Sequence, residues 1–308
     1  MKKNPIISII REARIDENRT PLTPNQIQTL TNKFPNLQVF VQPSKTRCFK
    51  DEDYSKAGAK IKEDISYSDI IFGVKEVEIS TLIENKTYLF FSHTSKVRKD
   101  ISQSTKDKAI IYKKELLREV IKKKITLIDY ENIRDDFSRR YFGFGRFAGI
   151  VGSYNSLNLY LEMIGKEPMP RAYQLNSYEK LKEHISLQDF QKAKIIVTGD
   201  GRVAKGTLEL LEFANINQIT PNDFNKNNHS TAVFCNLPTS MYVKHKDNIE
   251  FDLQHFIQSP DMYVSVLENF LPHATMLISS HYWDPKSPRL FEKQNIQQYT
   301  QLKVIGDI

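Results

Sequence analysis

Ile195-Ile196-Val197-Thr198-Gly199-Asp200-Gly201-Arg202-Val203-Ala204-Lys205-Gly206-Thr207-Leu208-Glu209-Leu210-Leu211 carries the strongest fold signal in the chain. A β-branched apolar run ends in a glycine turn and passes at once into a helical pattern, the context a dinucleotide fingerprint requires. Read so, it is the first strand-turn-helix of a Rossmann unit. Gly199 and Gly201 let the backbone turn sharply and approach a pyrophosphate, whose charge would rest on the unpaired N–H groups at the helix start. Gly206 is expected to let helix and strand pack closely. The spacing is G-x-G-x-x-x-x-G rather than G-x-G-x-x-G, so a glycine turn of an ordinary α/β domain stays open as the plainer reading.

The chain has 308 residues, 40% of them hydrophobic, enough for two moderate cores rather than one large one. No apolar run approaches the roughly 18 residues of a membrane span, and no charged-then-apolar leader precedes Ile6-Ile7-Ser8-Ile9-Ile10. A cytoplasmic protein without membrane or nucleic-acid partners is expected. Cys48 and Cys235, the two cysteines, are too few and too distant for a disulfide framework or a metal knuckle, so no metal site is expected. The formal charge is +7, but the lysines of Lys113-Lys114 and Lys122-Lys123-Lys124 are interleaved with acids and read as a solvated face. A positive potential also suits anionic substrates or cofactor phosphates.

From the start, the pattern reads as strand 6–10, a polar loop through Thr23, and a helix opened by Thr23 and Pro24 with Ile27, Leu30 and Phe34 on one face. Strand 38–42, a helix over 51–59, strands 70–76 and 88–93, a lysine-rich helix over about 104–123 and strand 125–131 follow. That alternation predicts a parallel sheet covered on both faces. Residues from about Gly145 to Ile164 then form one long helix, in which Ala148, Gly149, Gly152, Leu157 and Leu161 allow a close neighbour. A helix over 177–184 precedes the glycine turn. Beyond the turn, strands over 218–220, 231–237, 276–280 and 302–307 are expected in Rossmann-like order. The fold class is therefore α/β, with two Rossmann-like domains of parallel sheets, a cleft between them and a linking helix. The boundaries fall at 1–140 for a catalytic domain, 141–165 for the linking helix and 166–308 for a nucleotide-binding domain.

In open parallel sheets ligands sit outside the carboxyl ends of the strands. The first-domain strand ends carry Arg11, Arg14 and Arg19, then Lys75-Glu76, then His93 and Lys96, then Glu131 with Arg139 and Arg140 beyond. Each alone is an ordinary surface group. Together, a lysine, a histidine, two acids and several arginines on one rim suit carboxylate substrates and proton transfer at nitrogen. With a nicotinamide across the cleft, amino-acid redox chemistry is the natural expectation.

These residues carry a resemblance. The chain resembles the alanine dehydrogenase and saccharopine dehydrogenase superfamily, most of all its lysine 2-oxoglutarate reductase domain. The likeness is carried by Arg11-Glu12 with Glu17-Asn18-Arg19-Thr20-Pro21-Leu22-Thr23-Pro24, Gly73-Val74-Lys75, Phe90-Phe91-Ser92-His93-Thr94, Leu127-Ile128-Asp129-Tyr130-Glu131, Phe144-Gly145 with Ala148-Gly149, Thr198-Gly199-Asp200-Gly201-Arg202-Val203, and Tyr282-Trp283 with Pro288-Arg289-Leu290.

The resemblance implies an NAD- or NADP-dependent oxidoreductase that condenses lysine with 2-oxoglutarate. It places the acid/base pair on Lys75 and His93. The substrate site falls on Arg19, Glu76, Glu131, Arg140, Phe144 and Asp307, and the cofactor site on Arg139, Gly199, Gly201, Arg202, Val203, Gly206 and Thr220. Its partners would be an amino acid and a 2-oxo acid, and a homo-oligomer is compatible with it. Two departures matter. Thr220-Pro221-Asn222-Asp223 stands where the family often has a ribose-binding acid, which leaves NAD against NADP open. The family's chain also runs on past the strand near Asp307, whereas this sequence stops at Ile308. An alanine-dehydrogenase-like enzyme and a cofactor-poor binding remnant therefore stand as alternatives.

Overall fold

The computed structural model describes residues 4–96, 108–175, 177–226 and 229–308. The chain divides into two compact units, Met1–Gly143 and Phe144–Ile308. Among the described residues no helix is long and apolar enough to cross a membrane.

The first unit runs β1 (Ile6–Ile9), α1 (Pro24–Lys33), β2 (Gln38–Val41), α2 (Asp51–Lys56), β3 (Lys60–Ile61), β4 (Ile70–Phe72), β5 (Thr87–Phe90), α3 (Lys108–Lys122) and β6 (Thr126–Asp129). Its six strands pair in parallel in the order β3-β2-β1-β4-β5-β6. Alternation along β2 shows why both faces are covered: Val39 and Val41 join Ile27 and Tyr54 on one side, while Phe40 joins Leu116 and Val120 of α3 on the other. At the start of α1 the Thr23 hydroxyl accepts from Gln26 N and the Gln26 side chain accepts from Thr23 N, with Pro24 in the first turn. The helix expected over 51–59 ends at Lys56, because Gly58, at φ +94°, turns the chain into β3. Of the helix expected from about 104, residues 104–107 lie outside the described residues.

The strands of this sheet are shorter than their apolar runs suggest. β5 stops at Phe90, and the chain then turns through a left-handed backbone at His93, φ +52°. β6 stops at Asp129, whose side chain caps the 3-10 turn Tyr130–Asn132. Lys75, His93 and Glu131 thus stand in the loops just past the strand ends.

The second unit runs α4 (Gly145–Met163), α5 (Tyr178–Ser186), β7 (Lys194–Thr198), α6 (Arg202–Phe213), β8 (Asn217–Gln218), α7 (Pro221–Lys226), β9 (Val233–Leu237), α8 (Thr239–Tyr242), β10 (Val243–His245), α9 (Leu253–Gln258), β11 (Tyr263–Ser265), β12 (Met276–Ser279) and β13 (Val304–Asp307). Five strands form a parallel sheet ordered β13-β12-β7-β9-β8, and β10 and β11 form a separate antiparallel pair that the sequence did not suggest. In a simple Rossmann order β8 would lie beside β7. Instead β9 pairs with β7 from Lys194↔Val233 to Thr198↔Leu237, and β8 takes the edge. Burial explains this: Phe234 and Cys235 enter the cores on opposite faces of the sheet, whereas Asn217 and Gln218 are exposed and polar.

The long helix α4 belongs to the second unit and packs on α6 through two glycines. A Cβ on Gly206 would lie 1.9 Å from Arg146 O, and one on Gly149 would lie 2.0 Å from Val203 O. The expectation that Gly206 serves helix-to-strand packing is corrected here: its missing side chain is needed by the backbone of α4. Gly152 similarly faces the Ile308 side chain.

Candidate active site

In the first unit the residues following β1, β4, β5 and β6 gather at the carboxyl edge of the sheet. The His93 ring stacks on Phe91 with centroids 6.2 Å apart. Its Nδ1 is 3.3 Å from Glu131 Oε2, and its Nε2 is 3.8 Å from Glu76 Oε1. The Glu131 carboxylate is buried and also meets Arg140 Nη2 at 3.2 Å. Four expected residues therefore form one chain, Glu76, His93, Glu131 and Arg140. Such an arrangement can hold an imidazole in a fixed orientation and exchange its proton with a substrate.

Lys75 is tied into the same edge by its backbone. The Glu12 carboxylate accepts from Val74 N at 2.7 Å and from Lys75 N at 2.9 Å. Burial pushes the Glu12 carboxyl above its ordinary range, against the pull of those two amides. The Arg14 side chain holds the Asp16 carboxyl below its usual value, and the positive charge of Lys75 adds weakly in the same direction at Asp16 and Glu17. Glu17 is buried, and Arg19 grips it with Nε at 2.7 Å from Oε1 and Nη2 on Oε2. Burial raises the Glu17 carboxyl, but the hydrogen bonds from Arg19 outweigh it and hold it below its usual value. One edge of the Arg19 fork is therefore engaged by the protein's own carboxylate. Sequence reasoning assigned no role to Glu12 or Glu17. Both lie in the charged loop after β1, but their partners became visible only with the fold.

In the second unit the carboxyl ends of β7, β9, β12 and β13 meet at the glycine turn. Gly199 is left-handed at φ +95°, and a Cβ there would lie 3.0 Å from Ser280 O and 3.1 Å from His281 Cα. Asn236 Nδ2 donates to Gly199 O at 2.8 Å and braces the turn from β9. Gly201 is the N-cap of α6, offers it no side chain, and has nothing within 4 Å of where a Cβ would stand. An uncapped helix start beside open space fits a dinucleotide pyrophosphate. Arg202 and Val203 begin α6, and Phe144 caps α4 close by, since a Cβ on Gly145 would lie 3.0 Å from Arg202 Cβ.

Two groups at this end escaped sequence reading. His281 Nδ1 lies 2.7 Å from Thr198 Oγ1, and burial lowers the imidazole pKa against the pull of Asp307 at the end of β13. Tyr242, its ring 5.3 Å from that of His281, is pushed up to about 12 by burial. Thr220, expected near the ribose, follows β8 and caps α7, where its hydroxyl bonds Asp223 at 2.7 Å. Arg139 sits in a first-unit turn, with Nε 2.7 Å from Asp135 and its guanidinium over the Phe137 ring. Among the described residues no cluster of three or more His, Cys, Asp or Glu is placed to hold a metal ion.

Two parallel α/β units in one chain, the second opening on a glycine turn, give the architecture of the alanine dehydrogenase fold. The chain is similar to proteins of the alanine and saccharopine dehydrogenase superfamily. Residues 8–151 match the family model described as the alanine dehydrogenase/PNT N-terminal domain. The chain is 30% identical over 304 residues to the mitochondrial alpha-aminoadipic semialdehyde synthase of Bos taurus, across 91% of this chain and 31% of that protein. It is 25% identical over 225 residues to the saccharopine dehydrogenase (NAD(+), L-lysine-forming) of Neurospora crassa, across 68% of this chain and 57% of that one. The chain thus spans about a third of the length of the synthases it matches. A solved L-alanine dehydrogenase shares the fold, with a TM-score of 0.60 at 15% identity across 98% of this chain and 73% of that one.

Proposed function

We propose that the chain is a nicotinamide-dependent amino-acid oxidoreductase of the L-lysine-forming saccharopine dehydrogenase type, joining the amine of lysine to the ketone of 2-oxoglutarate by reduction. The observation that carries this reading is the His93 imidazole held between Glu131 and Glu76, on the edge where Glu12 fixes the backbone of Lys75. Joining an amine to a ketone requires the nitrogen to lose a proton and the former ketone oxygen to gain protons and leave as water. Two side chains that exchange protons are therefore wanted at one edge. Lys75 and His93 fill those roles, with Glu76 and Glu131 balancing their charge. Arg19 and Arg140, at the same edge as His93, would receive substrate carboxylates as planar forks.

The cofactor would be held at the Gly199 turn and the start of α6, with Asp307 and His281 at the neighbouring strand ends. When bound, the reduced nicotinamide supplies the hydride. The test is a panel in which the purified chain receives NADH or NADPH with lysine plus 2-oxoglutarate, or with pyruvate plus ammonia. Nucleotide oxidation with the first pair, and a product of saccharopine mass, are expected. Oxidation only with pyruvate and ammonia would replace the substrate assignment. If no nicotinamide nucleotide raised the melting temperature, the cofactor assignment would fall as well, because a ligand of the native state must stabilise it.

A further inference from the structure

Behind His93 lies a buried couple that neither the family likeness nor the acid/base reading assigns. Ser92 is completely buried and Asp129 is 8% exposed. The Ser92 hydroxyl donates to Asp129 Oδ2 at 2.5 Å, and the other oxygen of the same carboxylate, Oδ1, accepts from Glu131 N at 2.8 Å. Thr94 closes the loop from the far side of His93, its amide donating to Ser92 Oγ at 3.3 Å and its hydroxyl 2.8 Å from that oxygen. One carboxylate at the end of β6 thus holds the residue before His93 and the backbone of Glu131.

The geometry points to Asp129, acting with Ser92, as the positioning residue that sets His93 against Glu131. The constraint it opposes is visible. His93 occupies the left-handed region at φ +52°, a strained conformation for a non-glycine residue that persists only where its surroundings over-determine it. Bonds on both flanks of His93 converge on Ser92 and, through it, on Asp129. Glu131 is held by its own amide, so its carboxylate can face His93 and Arg140 while the anchoring carboxylate stays out of the reaction. Asp129 is two residues from Glu131 in sequence, yet its hydrogen bond to Ser92 spans 37 residues. The inference deepens the proposed function and rests on it for its kinetic readout only.

The test compares Ser92→Ala, Asp129→Ala, their double variant and Asp129→Asn in the full chain. Asn keeps one oxygen for Glu131 N and an amide that can donate to Ser92. Misplacing a catalytic group by about 1 Å can cost up to a hundredfold. The two alanine variants should therefore lose about ten- to a hundredfold in kcat with lysine and 2-oxoglutarate. Their nucleotide KM should stay near the parental value, the double variant should lose no more than the worse single, and Asp129→Asn should recover most of the rate. Equal losses in folded protein with parental kcat per folded molecule would overturn the positioning role. Crystal structures of parent and Asp129→Ala decide the matter independently of turnover. His93 leaving the left-handed region, or moving away from Glu131, supports the inference; an unchanged pair overturns it even in an active enzyme. If the parent turns over neither substrate pair, the proposed function falls and the crystal structures alone judge the couple.

Discussion

Replacing Gly206 or Gly201 by alanine separates the two roles that a glycine turn can combine. At Gly206 the new methyl would lie 1.9 Å from Arg146 O, a backbone atom that cannot rotate away. Ordinary contact begins near 3.4 Å, so α4 and α6 must part by about 1.5 Å or bend around the intrusion. Overpacking of this kind costs about 1–3 kcal/mol, and a unit of this size loses roughly 2–4 °C of melting temperature per kcal/mol. Gly206→Ala should therefore melt about 2–12 °C lower. At Gly201 the methyl meets nothing within 4 Å, and the backbone, at φ −77°, suits alanine. The weaker N-cap costs a few tenths of a kcal/mol, about offset by the lower entropy of the unfolded chain. Gly201→Ala should keep its melting temperature but place its methyl where a phosphate would approach, weakening NADH or NADPH binding. The assays are calorimetric melting and titration of nucleotide fluorescence on the same preparations. A Gly206→Ala protein that melts like the parent, or a Gly201→Ala protein that binds nucleotide like the parent, would refute this division.

Arg19→Lys removes a planar fork that already grips Glu17, and an ammonium cannot replace it. The KM for the oxo acid should rise roughly ten- to a hundredfold while nucleotide affinity survives; unchanged oxo-acid dependence in steady-state kinetics would remove the assignment. His93→Gln should slow substrate condensation more than hydride transfer, so that a primary isotope effect from deuterated nucleotide shrinks; a larger effect would contradict the role. Burial lowers the pKa of His281 from 6.5 in the native state, so the unfolded chain takes up that proton first and the contribution to stability is lost as pH falls below about 6.5. The melting temperature should drop between neutral and mildly acidic pH, and His281→Asn should flatten the drop; parallel curves for parent and variant would exclude His281 as the cause.

Much of this was legible in the residues because the signals were local. Thr23 and Pro24 announce α1 because a cap and a first-turn proline need only adjacent positions. The polar residues after the β4, β5 and β6 runs sit at strand ends because a buried strand cannot carry charge through the core. What could not be read depended on partners far along the chain. Periodicity shows that residues 233–237 form a buried strand but not which strand lies beside it, so the insertion of β9 between β7 and β8 was invisible. Glu12 meets amides 62 and 63 residues away. Gly206 was read against its nearest strand, whereas the close approach comes from the carbonyl of Arg146 on a separate helix. The left-handed turn at His93 has no signature in the flanking residues, because histidine adopts both signs of φ and only the surrounding contacts fix it here.

Proton transfer at the first-unit edge is proposed to run through Lys75, and turnover of Lys75→Met probes that step. Methionine keeps the length and apolar stem of lysine and removes only the ammonium, while the hydrogen bond from the backbone N–H of residue 75 to the Glu12 carboxylate persists. Turnover should fall by at least about a hundredfold, the lower range for a positioned acid/base group, with nucleotide binding intact. Parental turnover by Lys75→Met from about pH 6 to 9 would contradict the account.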